Sequence, residues 1–90
     1  MAIHGYAIPE ALEKRVFKHA GNYFTTFRVQ QFVEDNDRDA LIEASEGTRT
    51  NGRQIDFREI ANRVADKLVQ KWKREGKIEL GLGRQWVLKQ

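Results

Sequence analysis

Apolar positions recur at spacings of three and four through much of this 90-residue chain. The strongest run is Phe57, Ile60, Ala61, Val64, Leu68 and Trp72, which lays one apolar face along about four turns of helix. Asp56 and Glu59 stand where a capping box belongs, with the aspartate accepting from the third residue's N–H and the glutamate reaching back. Ile55 and Ile60 occupy the staple positions around that cap. Gly76 predicts the end of the helix, and Lys71, Lys73 and Arg74 suit the negative end of its dipole. An earlier stripe of Leu12, Val16, Phe17 and Ala20 predicts another helix. Pro9 is expected at its first position, where a missing N–H would be unpaired anyway, and Gly21-Asn22 at its end. Glu10 and Glu13 near the start and Lys18 and His19 near the end agree with that direction.

The segment from Tyr23 to Val33 has the aromatic and β-branched content of a strand. The spacing of Val29, Phe32 and Val33 favours a helix. The combined expectation is a short extended entry at Tyr23-Phe24 and then a helix to about Glu34, with Thr25 as its cap and Phe24 packing on Val29. Asp35 to Asp39 forms an acidic break, and Arg38 to Ala44 a further short helix anchored by Leu41 and Ile42. Residues 46–54 hold two glycines, an Asn-Gly pair and no apolar side chain, which predicts a loop. Two alternating runs close the chain, Ile78 to Leu80 and Trp86 to Leu88, joined through glycines. They predict a β-hairpin, with Ile78 and Leu80 on one side and Trp86 and Leu88 able to cover the same side.

Length implies one domain over residues 1–90, with the first eight residues loosely held. The absence of cysteine excludes a disulfide framework and a thiolate metal site. The first nine residues lack a basic segment followed by an apolar run, and no stretch has membrane-spanning length, so a cytoplasmic location is the expectation. His4 and His19 have no companion ligands nearby in sequence, and no metal is expected. Ser45 lacks a histidine at suggestive spacing, and Glu10-Glu13 belongs to a helix start, so no catalytic residues, cofactor or enzymatic activity are expected. The charge is unevenly placed. Residues 1–46 carry five basic and eight acidic side chains, a net of −3; residues 47–90 carry eleven and five, a net of +6. An acidic half joined to a basic half suits a protein with one face on a polyanion; the plainer alternative is segregated solvated charge.

The elements run helix, extended residues, helix, loop-rich connection, long capped helix, terminal hairpin. In that order, and in the stretch from Phe57 to Leu88, with apolar anchors, a late glycine, a short strand, a basic turn and a returning strand bearing Trp86, the chain resembles the winged helix-turn-helix family. The resemblance implies an α+β, mainly helical fold, a winged helix-turn-helix with three or four helices and a C-terminal β-hairpin wing. It further implies non-enzymatic, sequence-specific binding of double-stranded DNA, as in a small transcriptional or mobile-element regulator. In that family the long helix lies in the major groove and the hairpin meets the backbone or minor groove. Carried onto this sequence, Arg58, Asn62 and Arg63 are the expected base contacts, since their forked donors match guanine and adenine edges. Arg49, Arg53, Lys67, Lys71 and Arg84 are the expected backbone contacts: a point charge such as Lys67 or Lys71 suffices at phosphate, and Arg84 at the wing tip would insert in a minor groove or pair with phosphate. Asp66 and Gln70 lie beside them, Glu59 is expected to pair with Arg63, and Gly81 and Gly83 would let the wing approach DNA closely. So small an interface implies a homodimer or a cooperating protein as partner. Two other readings stand beside this one. A protein-interaction adaptor would use the acidic half or the Tyr23–Val33 face. An RNA or single-strand binder would expose Trp86 or Phe24 for stacking, whereas Trp72 and Trp86 are expected in the core.

Overall fold

A computed structural model describes residues 2–3, 5–47, 49–50, 53–81, 83 and 85–88, with 2–3, 49–50 and 53–54 placed by their backbone alone. Three helices, α1 (Glu10–Ala20), α2 (Thr26–Glu46) and α3 (Phe57–Arg74), carry most of the described chain. A short pair, β1 (Ala2–Ile3) with β2 (Tyr6–Ala7), precedes them, and β3 (Tyr23–Phe24) separates α1 from α2. The strands β4 (Arg49–Thr50) and β5 (Arg53–Gln54) pair antiparallel between α2 and α3. The chain finishes with β6 (Ile78–Leu80) and β7 (Trp86–Leu88). The result is a small α+β fold with one three-stranded antiparallel sheet in the order β3-β7-β6.

Each helix begins close to where its signals lie. Pro9 is extended, with φ −63° and ψ 142°, and acts as the cap residue, so α1 starts at Glu10, one residue later than expected. Thr25 caps α2, its hydroxyl accepting from the Arg28 N–H at 3.2 Å. Asp56 caps α3, but through the second residue: its carboxylate accepts from the Arg58 N–H at 2.8 Å. No bond from the Asp56 N–H to Glu59 occurs among the described residues, so the reciprocal half of the capping box is not formed. The other end of α3 closes as expected at Gly76, in a Schellman arrangement. The Lys77 N–H reaches the Trp72 carbonyl at 2.9 Å and the Gly76 N–H reaches Lys73 at 3.1 Å, which requires φ of 75° at Gly76.

The acidic stretch from Asp35 to Asp39 interrupts α2 as expected, though without a loop. Two helical stretches meet across a kink at Asp37, where φ is −142° and ψ is 36° and the backbone is not helical. Burial explains why the second stretch follows at once. Val29, Val33 and Leu41 are fully buried, so the core-facing stripe resumes after the kink while Asp35, Asn36, Arg38 and Asp39 face solvent. Tyr6 secures the kink: its hydroxyl donates to Asp37 Oδ2 at 2.6 Å, and its ring is buried. Burial foremost, with the Asp37 carboxylate beside it, pushes the Tyr6 phenol well above its ordinary value. Tyr6 and Ile8 thus tie the start of the chain to the core, where a loosely held segment was expected. The segment 46–54 likewise differs from the expected loop, with β4 and β5 paired as Arg49 with Gln54 and Thr50 with Arg53; Thr48, Asn51 and Gly52 lie outside the described residues.

The core lies where α3 meets α1, α2 and the sheet. Ile60, Ala61, Val64, Ala65, Leu68, Val69 and Trp72 of α3 are all buried. Trp72 is the largest of them, with Phe17 edge-on at 4.8 Å and Phe24 edge-on at 6.1 Å. The register of the C-terminal hairpin places Ile78 opposite Leu88 and Leu80 opposite Trp86, as the alternation predicts. Only Ile78 is fully covered, and Leu80 at the strand end is 62% exposed. Gly81 has a packing role there. An added Cβ would meet Val87 Cγ2 at 2.5 Å, and the Gly81 N–H closes on the Gln85 carbonyl at 2.7 Å. Glycine at this position is explained by the turn itself, without reference to a ligand.

Candidate nucleic-acid interface

The side of α3 away from the core presents Arg58, Glu59, Asn62, Arg63, Asp66, Lys67 and Gln70, all exposed. A helix turns about 100° per residue, so these side chains divide between two flanks. Arg63 and Lys67, one turn apart, occupy the outer flank. Neither side chain has an ion pair or hydrogen bond among the described residues. The expected Glu59–Arg63 pair is not made; the ion pairs there are Lys14–Glu10, Arg58–Glu34, Lys71–Glu13 and Lys77–Glu75.

The flank facing α2 is different. Asn62 Nδ2 donates to Gln30 Oε1 at 2.9 Å, and Gln30 Nε2 donates in turn to Glu34 Oε2 at 2.9 Å. Gln30 is buried, and the Arg58 Nε stands 4.0 Å from the other oxygen of Glu34. The Arg58 guanidinium also lies 5.7 Å from the Phe57 ring, which Arg38 approaches at 5.2 Å. Two of the three expected base-contact residues therefore already interact with their own fold. These partners lie too far away in sequence for periodicity to have paired them.

Lys71 belongs to a third setting. Its ammonium donates to both oxygens of Glu13, at 3.0 and 2.9 Å, and the Trp72 indole N–H donates to the same carboxylate at 3.3 Å. The hydrogen bonds to Glu13 raise the Lys71 ammonium above its ordinary value, outweighing desolvation, which acts the other way. Lys71 was expected at a phosphate; here it ties α3 to α1, and a phosphate would have to compete with Glu13 for it.

Contact with the sheet engages one α3 residue that sequence reasoning assigned only to the helix dipole. Lys73 Nζ lies 5.8 Å from the centre of the Trp86 ring, and the Trp86 indole N–H donates to Thr26 Oγ1 at 3.1 Å. Trp86 thereby joins the C-terminal turn of α3, the start of α2 and the sheet. Phe24 is buried edge-on to Trp72 and offers no face to a base. Tyr23 and Phe27 are large and exposed, on the Tyr23–Val33 stretch that the adaptor reading named. Arg84 and His4 lie outside the described residues, as do the side chains of Arg49 and Arg53.

Comparison with protein-family models, with curated proteins and with solved structures finds no match. Among the described residues, no helix is long and apolar enough to cross a membrane. No group of three or more histidine, cysteine or acidic side chains there is arranged to hold a metal ion.

Proposed function

We propose that this protein is a winged helix-turn-helix module that binds double-stranded DNA without catalysis, with α3 as the helix that enters the major groove. One observation carries the reading. The strand between the first two helices, β3, pairs with the last strand, β7, and β7 pairs with β6, so the hairpin that follows α3 is anchored beside the helix. The ribbon lies against the last turn of α3, where Lys73 meets Trp86, and the exposed side of the same helix carries Arg63 and Lys67, which have no ion pair or hydrogen bond among the described residues. In this reading Arg63 and Asn62 meet base edges, Lys67 meets phosphate, and Arg58 contributes from the flank it shares with Glu34. Arg49, Arg53 and Arg84, whose side chains lie outside the described residues, are proposed as further backbone contacts, and Lys71 stays with Glu13. A single small module covers a limited area of duplex, so specific binding requires a second copy or a cooperating protein. A role in regulating transcription or a mobile element follows from such binding.

The test is a titration of labelled random duplex over a series of salt concentrations. The parent protein is expected to bind with a steep salt dependence. Lys67→Ala should reduce the slope by about 1, uniformly across sequences, and Arg63→Ala should cost about 1–3 kcal/mol and relax specificity. Parent-like binding by both variants at moderate salt would remove α3 from the interface. Preference for single-stranded competitor over duplex would overturn the reading as a whole.

A further inference from the structure

Three side chains across the α2–α3 seam form a chain of hydrogen bonds whose direction is fixed at one end. An ionised carboxylate can only accept. Glu34 therefore obliges Gln30 to turn its NH2 toward Oε2, at 2.9 Å. That orientation leaves Gln30 Oε1 facing the other way, where it can only accept, and it takes the Asn62 Nδ2 hydrogen at 2.9 Å. Gln30 is 8% exposed, so water cannot easily substitute for either bond. Reversing Asn62 alone would set two carbonyl oxygens against each other. Reversing both amides would set the Gln30 carbonyl against the Glu34 carboxylate.

We propose that Glu34 and Gln30 orient the Asn62 amide so that its free edge is matched to adenine. The inference rests on the DNA-binding reading given above. One hydrogen of Asn62 Nδ2 goes to Gln30; the second hydrogen and Oδ1 have no partner among the described residues, and the side chain is exposed. One donor beside one acceptor is the complement of the adenine major-groove edge, which offers N7 as acceptor and the N6 amino group as donor. Guanine offers two acceptors, N7 and O6, and Asn62 Oδ1 would be repelled by one of them. An amide turned the other way would give one oxygen lone pair to Gln30 and exchange the places of the free donor and acceptor, out of register with N6 and N7. Glu34, which touches no base in this arrangement, thus fixes the register in which Asn62 meets adenine; it and Gln30 are positioning residues.

The experiment is selection of bound duplexes from a random pool, followed by sequencing, with the parent, Asn62→Ala and Glu34→Gln. The parent should enrich adenine at one position by about tenfold or more. Asn62→Ala should lose that enrichment while still retaining duplex. Glu34→Gln keeps the shape but can donate as well as accept, so both amide orientations become accessible and the adenine enrichment at that position should fall. A merely structural seam would weaken binding without changing which base is preferred. Adenine enrichment that survives in Asn62→Ala overturns the inference, whatever the folding of the other variant. So does a Glu34→Gln preference identical to the parent's, or a parent that retains duplex with no base preference. A parent that retains no duplex at low salt overturns the DNA-binding reading itself, and this inference with it.

Discussion

The two flanks of α3 carry similar residue types and use them differently. Toward α2, Arg58 and Asn62 reach Glu34 and Gln30, and near the helix end Lys71 reaches Glu13. On the outer flank Arg63 and Lys67 reach nothing among the described residues. By sequence alone all five are polar positions off one apolar stripe. The difference lies in what the neighbouring helices present. Buried Gln30, Glu34 with a side chain 19% exposed and Glu13 with one 14% exposed all sit where α3 supplies their donors. A partly buried carboxylate needs such donors more than an exposed lysine needs a carboxylate. Positive charge on a helix therefore counts toward a polyanion only after the fold's own acids have been satisfied.

Removing the wall that both flanks share should produce the largest effect. Trp72→Ala deletes the indole packed against Phe17 and Phe24 and leaves Glu13 without one of its donors. A loss of about 3–5 kcal/mol is expected in denaturant unfolding, enough to leave little folded protein. Retention of most of the stability would mean that the flanks do not depend on a common core. Next is Tyr6→Phe, which leaves Asp37 without its phenolic donor and should cost about 1–3 kcal/mol. It also carries a pH signature. The folded phenol titrates above its ordinary value, so its contribution is complete below about pH 10 and lost as pH rises through the raised value. Parent stability should fall above about pH 10, more steeply than that of Tyr6→Phe. Lys71, also raised, acts in the same direction and remains in both proteins, so the difference between the two curves isolates Tyr6.

What the sequence made legible was local. The stripe, cap and terminal glycine of α3 could be read because each lies within a few residues of what it acts on. The C-terminal hairpin could be read from alternation, and its register follows. The break in α2 could be read from the acidic run around Asp37, but not that it closes without a loop, because the contact that holds it comes from Tyr6, 31 positions away. The Asn51-Gly52 pair is a recognised hairpin signal, yet its flanks lack the apolar alternation that usually accompanies it. The engagement of Lys71 with Glu13, 58 positions distant, and of Asn62 with Gln30, 32 positions distant, had no local signature at all. The candidate site was therefore legible as a set of residue types, and its division into engaged and free members required the tertiary structure.

The smallest effects on folding give the sharpest comparison between the flanks. Lys71→Ala removes two hydrogen bonds to Glu13 and should lower the thermal midpoint measurably, less so as salt screens the pair. Its effect on duplex affinity should be minor, since the lost cation was already matched by Glu13. The double variant Arg63→Ala/Lys67→Ala should behave in the opposite way. Neither side chain has an ion pair or hydrogen bond among the described residues, so the thermal midpoint should stay within about 3 °C of the parent's. Its duplex affinity should fall and its salt dependence flatten. Plotting midpoint against affinity for the two variants thus separates charge that holds α3 in place from charge that α3 holds out. If Lys71→Ala loses as much affinity as the double variant at equal stability, Glu13 does not sequester it, and the distinction between engaged and free cations fails at the residue where the geometry states it most strongly.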